Sequence, residues 1–198
     1  MSIINHQGKV ANYIAKMLDD DSFHDVTIVC DNGEVKANKV ILCASSKYFS
    51  GLFNNNVLKS EDANDTIPVP TTQDAMELVI KYLHTGKIES KEFTLKEILD
   101  LLKLLGLMGE GGLFVAVEGF ILNKIRNKEF SHEKSLLLTA STSEKFKFEN
   151  ITEVVLNLIR DDIKATAHLP EVKYLTSSLM EKLVVRHEEG SGDLDTGL

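Results

Sequence analysis

Two cysteines, Cys30 and Cys43, are all the chain has. They are too few for a disulfide framework, and their spacing fits no zinc-binding pattern. Reduced thiols, and with them a cytoplasmic and/or nuclear setting, are the expectation. Runs of basic residues are also missing. The net charge is −8, and "NKIRNK" (Asn123–Lys128) is a short, solvated helix end. Neutralising phosphates takes clustered Lys and Arg, so nucleic acid is disfavoured as a partner. No segment approaches the roughly 20 apolar residues of a membrane span. The opening "MSIINHQGKV" lacks the apolar stretch of a signal peptide. A soluble chain without membrane partners is expected. Neither GxGxxG nor GxxxxGK[ST] occurs, and "GEGG" (Gly109–Gly112) has no flanking strand to make a phosphate loop. No cofactor is implied.

Catalytic constellations are equally scarce. The acidic residues form no pair on a pocket-like stretch. His84, His132, His168 and His187 fall near helix ends, where an imidazole favours the carboxyl-terminal dipole or faces solvent. His24, Asp25 and Cys43 could be drawn as base, orienter and nucleophile. Cys43, however, sits on the apolar face of a helix, where a free thiol behaves as a small hydrophobe. The expectation is no enzyme and no metal site.

What is present is a folded-protein composition, 43% apolar over 198 residues, enough for one large or two small domains. Val10, Tyr13, Ile14, Met17 and Leu18 follow the spacing of an amphipathic helix. The carboxylates Asp19–Asp21 end it. "HDVTIVC" (His24–Cys30) is a β-branched run, and Asn32-Gly33 predicts a hairpin turn in which both residues tolerate positive φ. "KVILCASSKYFSGLF" has helical period with a break at Ser45-Ser46, the second helix capped by serine. "DTIPVP" (Asp65–Pro70) is extended, and its prolines confine it to a sheet edge. Thr71 or Thr72 caps a helix whose inner face is Met76, Val79, Ile80 and Leu83, closed by Gly86. "FTLKEILDLLKLLGLM" (Phe93–Met108) is apolar around most of its circumference and predicts a central buried helix. After the "GEGG" loop, everything is helical up to an acidic tail, residues 188–198, expected to be disordered. The class is α+β feeding into an all-α region, with the boundary near Leu113–Ile125.

Asp25-Val26, Ala37-Asn38-Lys39, Leu42 and Ser46-Lys47-Tyr48-Phe49 together resemble the signature of BTB/POZ domains. "MELVIKYLHTGKI" (Met76–Ile88) is similar to a later helix ending of that family, with His84 where tyrosine is common. The resemblance covers about residues 6–125. The later "LPEVKYLTSSLMEKLV" (Leu169–Val184) is similar to a step between BACK-domain helices. Residues 1–118 are therefore expected to be a BTB/POZ domain, 119–187 a partial BACK domain and 188–198 the tail.

The resemblance implies a homodimer through the first helix, with Val10, Tyr13, Ile14 and Met17 facing the partner. From periodicity alone, the same stripe could pack on its own domain. It further implies a partly buried Asp25–Lys39 pair near that interface, or else Lys39 as a snorkelling surface residue. Many BTB–BACK proteins are substrate adaptors of cullin-3 ubiquitin ligases. The implied groove uses Tyr48, Phe53, Asn54, Val57, Leu58, Lys59 and Met108. Lys59 stands where the family has glutamate, a charge reversal at a specific contact. A substrate protein is implied without being identified. The alternative implied by the same family is an oligomerisation module of a transcriptional or scaffolding protein without cullin binding.

Overall fold

The computed structural model describes residues 7–54, 65–88, 94–109, 111–127 and 133–190. It divides into two compact units, Met1–Val117 and Glu118–Leu198.

The first unit opens with α1 (Gln7–Leu18), followed by a single 3-10 turn at Asp21–Phe23 capped by the Asp20 carboxylate. Then come β1 (Val26–Cys30) and β2 (Gly33–Ala37). They pair antiparallel in the register Val26↔Ala37, Ile28↔Val35, Cys30↔Gly33. Alternation sets their faces: Val26, Ile28, Cys30, Val35 and Ala37 are buried, while Glu34 and Lys36 point outward. Asp31 and Asn32 are therefore the two loop residues, one position earlier than the Asn-Gly dipeptide suggested. Neither Asn32 nor Gly33 has positive φ. Gly33 is needed for space instead, since a Cβ there would lie 2.0 Å from Gln73 Oε1.

Helices α2 (Lys39–Ser45) and α3 (Lys47–Asn54) follow. Ser46 is the expected break: its Oγ accepts the Phe49 N–H at 3.3 Å. β3 (Asp65–Pro68) pairs parallel with β1, giving the order β2-β1-β3 and putting the proline strand at an edge. α4 (Gln73–Thr85) closes on Gly86 at φ 67°, as its position predicted. At the other end of α4, Thr72 makes no side-chain cap. Asn32 Oδ1 takes the Gln73 N–H at 2.7 Å in its place.

α5 (Leu95–Met108) starts on a Thr94–Glu97 capping box and ends on Gly109 at φ 62°. Ile98, Leu101, Leu102, Leu104 and Leu105 are essentially solvent-free, as are Phe49, Leu42, Met76, Val79 and Ile80, and α5 packs on α4. α1 packs on α4, and α4 packs on α2, α5 and β2. α6 (Gly111–Arg126) already includes Gly111 and Gly112, so the "GEGG" interruption is shorter than expected.

In the second unit, α7 (Glu133–Lys145) packs on α8 (Glu149–Asp161), and α10 (Ser177–Gly190) packs on both. Between them lie the short α9 (Ile163–Thr166) and a 3-10 segment, Pro170–Tyr174. Leu136, Leu137, Ala140, Phe148, Ile151, Val155, Ile159, Leu179 and Leu183 are buried. The α7–α8 turn is tight. Lys147 takes φ 63°, its N–H donates to Glu144 C=O at 3.1 Å, and Phe148 N–H donates to Ser143 C=O at 2.8 Å. These are the two reverse bonds of a Schellman ending, with lysine where glycine is usual. The helix α10 continues to Gly190, so Glu188–Gly190, expected in the tail, are helical. Residues 191–198 lie outside the described residues.

Candidate interaction surfaces

The α1 stripe splits in two. Ile14, Met17 and Leu18 are half-buried where α1 rests on α4, whereas Val10 and Tyr13 are 52% and 62% exposed. Part of the stripe therefore packs on its own domain, and Val10 and Tyr13 are left facing outward. His24 ties down the end of the helix: its Nε2 lies 3.1 Å from the Leu18 carbonyl and its Nδ1 3.2 Å from Asp21 Oδ1.

Asp25 and Lys39 are brought together, though not as a buried charge pair. Asp25 is exposed, and its Oδ1 accepts the backbone N–H of Lys39 at 2.6 Å, where α2 begins. A helix start offers unpaired N–H groups, and a carboxylate takes one readily. The Lys39 ammonium lies 4.7 Å above the centre of the Phe53 ring. The heavy cost of breaking a buried ion pair does not apply to two groups so close to water. The Lys39 ammonium thus covers an aromatic face of α3.

On α3, Phe49 is fully buried and stands edge-on to Tyr48, with 5.3 Å between ring centres. Burial pushes the Tyr48 hydroxyl above its ordinary range. Tyr48 and Phe53 are half-buried and Asn54 is exposed, its amide donating to Ser50 Oγ at 3.1 Å. Val57, Leu58 and Lys59 lie outside the described residues. Met108, expected on the same surface, is 6% exposed and belongs to the core. Its neighbour Leu107 faces out instead, at 48%. On a helix apolar all round, periodicity cannot say which of two adjacent residues is outside.

Several exposed apolar residues were missed, Phe23 and Val40 among them. Phe23 and Val40 flank Asn38, whose amide donates to the Phe23 carbonyl at 2.9 Å. Only their position beside the Asp25–Lys39 contact could have marked them.

Nothing catalytic is assembled from His24, Asp25 and Cys43. The histidine and the aspartate are committed to Leu18, Asp21 and Lys39, and burial pushes the Cys43 thiol up rather than down. Cys30 is pushed up to about 11, mainly by burial. Both thiols stay protonated at neutral pH, the wrong state for a nucleophile. His84 is 3% exposed rather than solvated. Its Nδ1 is 2.8 Å from the Ile80 carbonyl, and burial holds it below its ordinary value. Among the described residues, no three His, Cys, Asp or Glu converge as metal ligands, and no helix is long and apolar enough to cross a membrane.

An exposed apolar strip on a first helix, a hairpin feeding two short helices, and a parallel edge strand form one body. The family model for the BTB/POZ domain matches residues 14–111. Residues 14–111 are a BTB/POZ domain. Among characterised relatives, human Kelch-like protein 4 is 22% identical over 158 residues, 78% of this chain and 22% of that protein. Bric-a-brac 2 of Drosophila melanogaster is 28% identical over 121 residues, 54% of this chain and 11% of its own length. Kelch repeat and BTB domain-containing protein 2 of Ectromelia virus (strain Moscow) is 33% identical over 101 residues, 50% and 17% of the two chains. This chain thus spans less than a quarter of the length of these relatives. The BTB/POZ domain and its relatives mark a protein-interaction scaffold. The helices after it are compatible with a BACK segment.

Proposed function

We propose that the chain is a homodimeric BTB–BACK scaffold that acts as a substrate adaptor for a cullin-3 type ubiquitin ligase, in the cytoplasm or nucleus. In this reading the BTB/POZ domain occupies residues 1–118, residues 119–187 are the partial BACK domain, and no catalysis is involved. The observation that carries it is the outward apolar face of α1. Val10 and Tyr13 are more than half exposed on a helix otherwise seated against α4, and exposed apolar residues of that kind suit a partner. Phe23 and Val40 add to the apolar surface beside the Asp25–Lys39 contact. The cullin surface would run along α3 through Tyr48, Phe53 and Asn54 and continue into Val57, Leu58 and Lys59. Dimerisation doubles the recruited partner and raises effective concentration, so placement rather than chemistry is the mechanism. The substrate protein would be held elsewhere in a longer assembly.

Titration calorimetry of the chain against the amino-terminal domain of cullin-3 tests the adaptor role, beside a Val57→Asp/Leu58→Asp variant. Submicromolar binding that the variant loses supports it. A folded, dimeric chain that does not bind leaves the second reading, an oligomerisation module without cullin; bric-a-brac 2, a relative whose name carries no Kelch designation, favours keeping it. Light scattering of Val10→Asp/Tyr13→Asp tests the dimer separately: a folded variant of monomer mass is expected, and one of unchanged dimer mass removes α1 from the interface.

A further inference from the structure

We propose that the Asn32-Gly33 turn is a self-modification site, where the start of α4 promotes conversion of the Asn32 amide to an acid. The inference is independent of the adaptor reading. Asn32 is exposed in a two-residue hairpin loop. Its Oδ1 accepts the Gln73 N–H at 2.7 Å, the first residue of a 13-residue helix. That donor carries the positive end of the helix dipole. It therefore sits where negative charge develops when a nucleophile adds to the amide carbon, the arrangement of an oxyanion hole. The nucleophile is the next backbone nitrogen, that of Gly33, which carries no Cβ of its own and has the Gln73 side chain beside it.

In the first step the Gly33 nitrogen attacks Asn32 Cγ, and a new C–N bond closes a five-membered imide. The Cγ–NH2 bond breaks, and the amide leaves as ammonia, taking the proton that Gly33 loses. Water then opens the imide at one of its two C–N bonds. One opening yields aspartate at position 32; the other yields the β-linked isomer, with the backbone running through the side chain. The net change is amide plus water to acid plus ammonia, with no redox step. The attack requires opening of the Cys30–Gly33 rung, the last of the ladder and its least protected.

The two products act differently on the same contact. Aspartate keeps the bond to Gln73 and adds a full negative charge at the helix start. The β-isomer adds a methylene to a two-residue loop and shifts the pairing of β1 with β2. The hairpin is also held to this corner by Asp31 N–H donating to the Thr71 carbonyl at 2.8 Å, so both bonds of the clamp depend on that loop.

Incubation of the full chain at 37 °C and mildly alkaline pH, followed by peptide mass mapping with isoaspartate detection, tests it. Gln73→Pro removes the donating N–H at a position where proline is well tolerated. Gln73→Ala keeps the N–H and removes only the side chain. Gln73→Ala opens the space beside Gly33 and should convert at least as fast as the folded wild type. Gln73→Pro, which lacks the same side chain and also the N–H, should be about a hundredfold slower than Gln73→Ala, the low side of what losing one oxyanion donor costs. In urea all three should convert alike. If the folded wild type keeps its amide while the urea sample loses it, or if folded Gln73→Pro converts as fast as folded Gln73→Ala, the proposal is overturned.

Discussion

Lys147 sits at φ 63° in the turn between α7 and α8, a conformation that brings a Cβ close to the following carbonyl and costs about 1 kcal/mol or more. The Phe148 N–H bond to Ser143 and the full burial of Phe148 hold it there. Replacing Lys147 by glycine removes the Cβ and leaves both reverse bonds intact. Glycine also frees the unfolded chain, which offsets about 0.5 kcal/mol. The net gain should be about 0.5–1 kcal/mol over Lys147→Ala, which keeps the Cβ and loses only the charged stem. In a chain of this length that corresponds to a Tm increase of roughly 1–4 °C. Urea unfolding followed by circular dichroism measures the difference. The glycine–alanine comparison isolates the backbone contribution from anything the lysine side chain does. If the alanine variant is as stable as the glycine one, the left-handed residue is not strained and the reasoning fails.

Burial keeps His84 below its ordinary value of 6.5, so the unfolded chain takes the proton more readily than the folded one. The stability this neutral group contributes is present above pH 6.5 and declines as pH falls through the window beneath it. A Tm series from pH 7.5 to 5 should show that decline, and His84→Phe should flatten it; an unchanged slope would clear His84 of responsibility. Asp25→Ala deprives the Lys39 N–H of its carboxylate and should cost about 1 kcal/mol in chemical unfolding, well short of the 3–5 kcal/mol of a broken buried pair. A larger loss would mean that Asp25 does more than cap α2. Because burial raises both thiols, iodoacetamide at neutral pH should label the folded chain far more slowly than the urea-unfolded one. Fast labelling of Cys43 would revive the thiol-enzyme alternative.

Local features were the legible ones. Alternation in "VTIVC", the serine break at Ser46, the glycine after Thr85 and the prolines of "DTIPVP" each act within a few residues. Their consequences appear where expected. The missing parts depend on contacts distant in sequence. Asn32 caps α4 from 41 positions away, so a reading of neighbours could only offer Thr71 or Thr72. The burial of His84 follows from the packing of α4 among α1, α2 and α5, whereas a histidine near a helix end ordinarily sees water. Leu107 and Met108 exchanged roles because every side of α5 is apolar. The Asp25–Lys39 contact was foreseen in a partly buried pocket, yet Asp25 is exposed and its carboxylate takes the backbone N–H at the helix start. The apolar residues expected to continue the partner surface, Val57 and Leu58, fall outside the described residues.

The parallel pairing of β1 with β3 has a kinetic consequence. β1 and β2 meet across two residues and can zip as a local event, but Val26 must find Asp65, 39 positions on. Closing so wide a loop loses chain entropy before any contact compensates for it, and long-range pairings of this kind set the pace of folding. On the ribosome the hairpin and the α2–α3 pair would be complete while β3 was still to emerge. Until it arrived, β1 would carry an open edge with Val29 waiting for the Val69 N–H. That interval is when a newly made chain is most exposed to strand pairing with its neighbours. The proline at position 68 limits the hazard from the other side, because the arriving strand cannot serve as a template once docked.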